Sequence, residues 1–382
     1  MRHLLGPRRV LVVLLCLTGC LTLNGTGAAA PAPGGERDRV AFAQRYHAVQ
    51  HGGIVRAANS AVTCRRPPAR PVIRPVRRAV PRPAASCADV RRGGPGANHD
   101  FEMFYADIDD DPNTYNSTAG EVRLPAGSKV SYARLYWGGN LRAGERKRAK
   151  DNGRVLVAEP GGRYKAVLAD TLSGHGVSGV TGGTDVFQAS ADVTGLVRRS
   201  GAGLYTVAQV NVAKGHSKSG AWGGWTLVVA YENAARPLRS IAVWDGFGPL
   251  GGPGKQRHTA HTVRMKGVPV APGADGVAGI VAYDGDRGLK GDAVHVSAGR
   301  GRPVPLSDRV NPADDVLNST VSEPGGPARR KPAYANTLGY DSDVLRLGDR
   351  LRGQRGELTV RMSARRDAAW TGVLFAAVDV RR

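Results

Sequence analysis

Beyond residue 98 the sequence is a succession of short, valine-rich apolar runs separated by glycine, and helical spacing is almost absent. Such runs at 101–107, 121–124, 129–137, 154–158, 164–168, 186–193, 204–213, 225–231 and 239–245 are predicted strands. The pattern continues at 258–266, 277–283, 293–297, 343–347, 357–363 and 370–380. β-Branched and aromatic side chains fit a pleated, half-buried surface, and glycine pairs such as 138–139 and 223–224 supply the breaks. Lys129–Trp137 alternates, with Val130, Tyr132, Arg134 and Tyr136 on one face and Ser131, Ala133, Leu135 and Trp137 on the other. Trp225–Tyr231 and Trp370–Val380 are nearly all apolar, as strands covered on both faces are. Only short stretches such as 41–50 have helical composition. The expected fold is therefore all-β, one or two packed antiparallel β-sandwiches of jelly-roll type. The glycine-proline segment 248–254 separates two strand-rich halves, which gives expected domains at 52–250 and 255–382 after a linker at 31–51.

The N-terminus reads as an export signal at 1–30. MRHLLGPRR is basic, residues 10–23 are apolar, and small residues follow at 25–35. The apolar run is short for a transmembrane helix. Leu17-Thr18-Gly19-Cys20 also matches a bacterial lipobox, which would lipidate Cys20 and anchor the protein to the outer face of the membrane. Either route places the mature chain outside the cytoplasm, where Cys64 and Cys87 most simply form one disulfide.

Charge is concentrated. The formal net charge is +22, and residues 55–92 hold ten arginines against one acid, Asp89. A Pro/Arg tract cannot bury a core, so 65–86 is expected to be a solvated loop closed at its base by the two cysteines. Closing it stabilises the fold by about 3.4 kcal/mol in the chain-entropy picture. Arg65, Arg66, Arg70, Arg74, Arg77, Arg78 and Arg82 then form a patch for an anionic polymer such as a wall polymer or acidic polysaccharide. The alternative is a charged loop with no specific partner. No aromatic residue interleaves these arginines, so a specific nucleic-acid partner is not expected.

The acidic loop 107–116 is the candidate metal site. Asp107, Asp109, Asp111 and Asn113 offer hard oxygens at alternate positions, a spacing suited to calcium. Pro112 and Thr118 exclude an EF-hand, and the competing reading is a turn in which Asp and Asn cap backbone groups. Asp284-Gly-Asp286, Asp341-Ser-Asp343 and the Asp314-Asp315 pair are secondary candidates. Catalytic arrangements are thin. Gly215-His216-Ser217-Lys218-Ser219 lacks the final glycine of a nucleophile elbow, and His258 and His261 would face opposite ways on a strand. Trp222, Trp225 and Trp244 could stack on sugars, but large aromatics in strands are usually core.

Several longer segments are distinctive: GGIVRAANSAVTC (52–64), YADIDDDPNTYNSTAGEVRLPAGSKVSYARLYWGG (105–139), DVTGLV (192–197) and GGWTLVVAYENAARPLRSIAVWDGF (223–247). AYDGDRGLKGD (282–292), NPADDVLNST (311–320) and YANTLGYDSDV (334–344) extend the series. Together they resemble the β-rich leading module of large secreted bacterial surface proteins, common in actinobacteria, which repetitive stalk domains usually follow. The resemblance covers 52–382 and departs from the pattern in having no stalk or wall anchor after the module. It implies surface location and a non-enzymatic role. The expected function is a secreted or surface-attached binding module, calcium-stabilised, that engages cell-wall polymer, carbohydrate or matrix. The alternative is a secreted polysaccharide hydrolase whose carboxylates the spacing does not identify.

Overall fold

The valine-rich runs form antiparallel strands, and the computed structural model describes them through residues 40–65, 85–178, 184–251 and 260–380. Among the described residues the α-helices are short, Cys87–Arg91 and Thr194–Ser200. The fold is all-β, built from antiparallel sheets packed face to face. Val321–Glu323 and Tyr340–Arg346 pair in parallel.

A single strand organises these sheets. Val40–Ser60 runs for 21 residues. From Val40 to His51 it pairs with Leu238–Gly251, and from Gly52 to Ser60 with Gly223–Glu232. The change of partner falls between adjacent residues. The His51 carbonyl accepts from the Asn233 N–H at 2.8 Å, while the Gly52 N–H donates to the Pro237 carbonyl at 3.2 Å. Successive backbone groups point to opposite edges of a strand, so the two partners lie on opposite sides. Only glycine fits at this junction: Gly52 has φ of +150°, and a Cβ there would stand 1.9 Å from the Tyr231 carbonyl oxygen.

Each partner strand leads a different half of one continuous sheet. Lys129–Asn140, Thr184–Asp192 and Thr171–Ser178 extend it on one side; Ala368–Asp379, Gly276–Tyr283 and Tyr340–Arg346 extend it on the other. The first half packs on a five-stranded sheet that includes Ser117–Val122 and Gly203–Ala208, burying Trp137, Phe187, Tyr205 and Trp225. The second half packs on a four-stranded sheet that includes Ala260–Val270 and Gly356–Ala364, burying Met265, Ile280, Leu358 and Leu374. A third core joins the remaining faces of the two halves, through Val228, Val243, Phe247, Tyr283, Tyr340, Trp370 and Phe375. Two sandwiches thus share a central core. Within it Phe247 stacks on Trp370, ring centroids 5.1 Å apart. Gln188 Nε2 donates to the carbonyls of Gly246 and Gly372, and its Oε1 accepts from the Tyr283 hydroxyl at 3.0 Å. Burying a side chain the size of Phe375 contributes about 1.5–3 kcal/mol, so this core is substantial.

Several expectations change. Residues 41–50 are strand, not helix, because pairing with Leu238–Gly251 overrides the helical leaning of Ala, Gln and Arg. The expected linker at 31–51 is therefore, from residue 40, part of the central strand. The segment 248–254 does not separate the sheets: Gly248–Gly251 pairs with Ala368–Thr371, and the large sheet takes strands from both sides of the expected boundary. Val130 turns to the face of Ala133 and Leu135, because the register skips Ser131 between Tyr132↔Ala230 and Val130↔Tyr231.

Cys64 and Cys87 are bonded, with Cα atoms 5.8 Å apart, within the usual bridging range. The bond ties the end of Val62–Cys64 to the start of Cys87–Arg91. Replacing both cysteines by alanine should lower the unfolding free energy by about 3 kcal/mol in denaturant titration. An unchanged midpoint and slope would show that the bond does not restrain the unfolded chain.

Candidate functional site

The expected calcium ligands Asp107, Asp109 and Asp111 are engaged by donors of their own loop and the strand that follows it, and by Tyr164. Asp107 Oδ1 accepts from the Ser117 hydroxyl at 2.5 Å. Asp109 accepts from the Asp111 N–H, the Thr114 hydroxyl and the Tyr164 hydroxyl. Asp111 Oδ1 accepts from both the backbone and the side-chain N–H of Asn113, at 2.9 and 2.8 Å. This is the capped-turn arrangement. Burial raises the Asp109 pKa, but the hydrogen bonds led by Tyr164 outweigh it and hold the carboxyl below its ordinary value. Among the described residues no group of three or more His, Cys, Asp or Glu side chains is placed to hold a metal ion.

The secondary acidic motifs behave differently, because the topology buries them together. Tyr340–Arg346 lies beside Gly276–Tyr283, so Asp341 and Asp343 sit close to the loop carrying Asp284 and Asp286. Asp292 and Asp367 complete the group, and all six are buried. Their oxygens fix an irregular segment, 308–322. Asp292 Oδ1 accepts from Val316 N–H at 2.7 Å, Asp341 Oδ1 from Thr320 N–H at 3.1 Å, and Asp343 Oδ1 from Ser322 N–H at 2.9 Å and its hydroxyl at 2.7 Å. Asn98 Nδ2 bridges Asp284 and Asp286, and the Asp286 N–H donates to Asp367. Asp284, Ser319 and Leu338 adopt positive φ of 65°, 58° and 57°. Such backbone persists where its surroundings over-determine it, and here Ser319 Oγ accepts from Gly339 N–H and donates to the Gly285 carbonyl.

Burial raises every one of these acids. Asp286 and Asp292 are pushed up to about 7, despite backbone N–H bonds that favour the charged form. Asp343 reaches about 6, held back by Ser322 and Arg56. Asp284, Asp341 and Asp367 are raised well above the ordinary carboxyl range, each by burial first and then by a neighbouring carboxylate.

Over this network lies a cavity of about 440 Å³ lined by Arg287, Arg309, Asp315, Asn318, Thr320, Ser322 and Arg330, with Val310, Pro312, Val321, Pro327 and Ala335. Arg330 is 7% exposed. Its guanidinium donates to Asn59 Oδ1 and to the carbonyls of Pro332 and Tyr334, leaving Nε without a partner. Burial, then the nearby Arg56, lowers its pKa to about 10. Arg56 is fully buried behind the cavity wall, donating to the carbonyls of Ser322 and Ser342, with Glu323 4.0 Å away. Asp315 is 8% exposed; Oδ2 accepts from Gly288 N–H at 2.9 Å and Oδ1 has no partner.

The other expected site residues are spread out. Arg65 lies over the Phe104 ring, 4.4 Å from its centroid. Arg66, Arg70, Arg74, Arg77, Arg78 and Arg82 fall outside the described residues, as do Cys20, the export signal and His258. Trp222 and Trp225 are fully buried and Trp244 nearly so, which makes them core. His261 is buried, with Nε2 2.8 Å from the Pro249 carbonyl. Sequence reasoning did not single out Arg56, Asn98, Arg330 or Asp367. The one signal was Arg56, a lone charge in the run GGIVRAANSAV.

No protein-family model matches the chain, and no curated protein matches it. Among solved structures, the chain is similar to the major capsid protein P2 from bacteriophage PM2, at 13% identity over 72% of this chain and 97% of that one, with a TM-score of 0.17. It is also similar to PNGase F, a glycosylasparaginase from Flavobacterium meningosepticum, at 11% identity over 72% of this chain and 95% of that one, with a TM-score of 0.24.

The raised acids set the pH response. A group whose folded pKa lies above its unfolded value, near 4 for aspartate, stabilises the fold fully below that value. That contribution is lost as pH rises through about 6 to 7 for Asp343, Asp286 and Asp292. The melting temperature should therefore fall between about pH 5 and pH 8. Asp292→Asn keeps an acceptor for Val316 without the charge and should flatten that fall. A profile rising over this interval would contradict the buried-acid account.

Proposed function

We propose that the protein is an exported β-sandwich binding module that holds an anionic polymer or carbohydrate at the cell surface. The observation that carries this reading is Arg330, a nearly buried cation in the lining of a cavity, whose hydrogen bonds among the described residues go to the neutral Asn59 amide and two carbonyls. The hydrogen bonds of this guanidinium go to neutral acceptors, with Asp343 as the nearby negative charge, and an anionic ligand in the cavity would add further opposite charge. Arg287 and Arg309 add positive charge around the same opening. The Pro/Arg tract between the bonded cysteines would add a longer-range attraction, screened over about 10 Å at 0.1 M salt.

A binding role is favoured over polysaccharide hydrolysis by the make-up of the cavity. Glycoside hydrolysis commonly uses two carboxyl groups flanking the scissile bond, and Asp315 is the one carboxylate in this lining. Asp292, Asp341 and Asp343 instead accept from backbone N–H groups and a hydroxyl of the wall. Export follows from the N-terminal signal and accords with the disulfide. Among the described residues no helix is long and apolar enough to cross a membrane.

Sedimentation with isolated bacterial cell walls and with an acidic polysaccharide tests this reading. The protein should co-sediment at low salt and be released progressively as sodium chloride rises toward about 0.5 M. Deleting 66–84 while keeping both cysteines should lower the salt needed for release. A protein that stays in the supernatant with both materials at low salt would contradict the reading.

A further inference from the structure

We infer that the face built from 142–150, 214–218 and Arg65 binds a phosphodiester polymer whose small units lack rings, of the poly(glycerol phosphate) kind. This rests on the binding role above only in that the polymer is anionic, and the face shares no residue with the lining of the Arg330 cavity. Residues 141–151 carry five cations against two acids, and 214–219 carry two lysines and no acid. Backbone hydrogen bonds join these loops. The Glu145 N–H donates to the Lys214 carbonyl at 3.1 Å, and Gly215 exchanges bonds with Met103 at 2.8 and 2.9 Å. Glycine allows this approach, because a Cβ on Gly215 would stand 2.5 Å from Gly144 Cα. Arg65 follows Cys64, whose strand Val62–Cys64 pairs with Met103–Tyr105. Charge from three parts of the chain is thus brought together.

Most of these cations have no acid of their own. Arg142, Arg146, Arg148, Lys150 and Lys218 are exposed and form no ion pair among the described residues, and neither do Arg65 and Lys214. Lys147 is the exception, 3.6 Å from Glu145, whose carboxylate also accepts from the Tyr105 hydroxyl and the Lys214 N–H. Exposed cations elsewhere are paired, as Arg264 is with Glu357 and Arg352 with Asp349. Three cations of the face are held by aromatic rings instead. Lys147 Nζ lies 4.1 Å from the Tyr115 centroid and 5.0 Å from that of Tyr105. Lys214 Nζ lies 5.0 Å from the Tyr105 centroid and 5.8 Å from that of Phe104, over which Arg65 also sits at 4.4 Å. Sharing Tyr105 keeps the two ammonium groups within about 10 Å of each other, and sharing Phe104 does the same for Lys214 and Arg65. A flexible chain with one negative charge per unit can follow such a series. Because cations lie over the rings, these give no platform for a nucleic-acid base or for the C–H face of a sugar. Backbone charge is what remains to be recognised, and arginine and lysine both make strong charge-assisted bonds to phosphate oxygens.

Calorimetric titration of the whole mature protein with poly(glycerol phosphate), repeated across a sodium chloride series, tests this. Polygalacturonate, single-stranded poly(dT) and glycerol 3-phosphate are the comparisons, at equal concentrations of anionic groups. Poly(glycerol phosphate) should bind more tightly than either other polymer, and about tenfold or more tightly than the monomer. Log affinity should fall linearly with log salt, by about 0.7 for each phosphate contact on a single chain. Lys147→Gln together with Lys214→Gln should lower that slope by about 1 to 2 and weaken binding about tenfold. Arg146→Gln together with Arg148→Gln should act alike, and this pair keeps the test valid if circular dichroism and melting curves show the first to be unfolded. Arg264→Gln with Arg352→Gln removes the same charge from paired positions elsewhere and should leave affinity within about twofold. A slope and affinity unmoved by both pairs on the face, or moved as much by the control pair, would overturn the proposal. So would equal or tighter binding of polygalacturonate or poly(dT). Retention on cell walls alongside any of these results overturns this proposal and leaves the broader binding role standing. Loss of binding to cell walls and to every polyanion would remove the two together.

Discussion

The structure depends on one strand that joins the two halves of the large sheet. Because Val40–Ser60 changes partner at His51 and Gly52, the two halves of the large sheet must face each other across a common core. That core is closed by aromatic contacts among Phe247, Tyr283, Tyr340 and Trp370, and by Gln188, whose amide connects three strands. The outer sheets then cover the remaining faces. A side chain at residue 52 would collide with the Tyr231 carbonyl, so the whole arrangement hangs on a backbone position that only glycine fills.

The same strand brings charge inside. Arg56 follows the junction by four residues and is carried into the region between Val321–Glu323 and Tyr340–Arg346, where it donates to the carbonyls of Ser322 and Ser342. Its positive charge, with that of Arg330, stands beside Asp343 and opposes full protonation of that carboxyl. The aspartates in turn hold 308–322 through backbone N–H groups, giving a segment with little regular structure a fixed shape. Irregular backbone can line a cavity only if its polar groups are satisfied, and here carboxylates do much of that. The price is a pH-sensitive interior.

Most of the fold was legible in the sequence. Period-two alternation and glycine breaks located strands such as Lys129–Asn140, Gly223–Glu232 and Ala368–Asp379 to within a few residues. Packing on both faces showed in the unbroken apolar runs. The joining strand was missed because Ala41–Gln50 is rich in helix formers and largely exposed, so pairing rather than burial decides its conformation. The candidate site was less legible. Asp284, Asp286, Asp341 and Asp343 stood out as paired acids, but their burial depends on strand neighbours about 60 residues apart in the chain. Arg330 has no local signature at all: its burial follows from the short pairing of Arg330–Lys331 with Ser117–Val122.

The most direct measurement of the central claim is a crystal structure of the protein grown with a short acidic oligosaccharide. The account predicts an anionic group in the cavity lined by Arg287, Arg309 and Arg330, and residues 308–322 in the conformation described here. A ligand bound elsewhere, with the Arg330 and Asp315 cavity filled only by solvent, would contradict it.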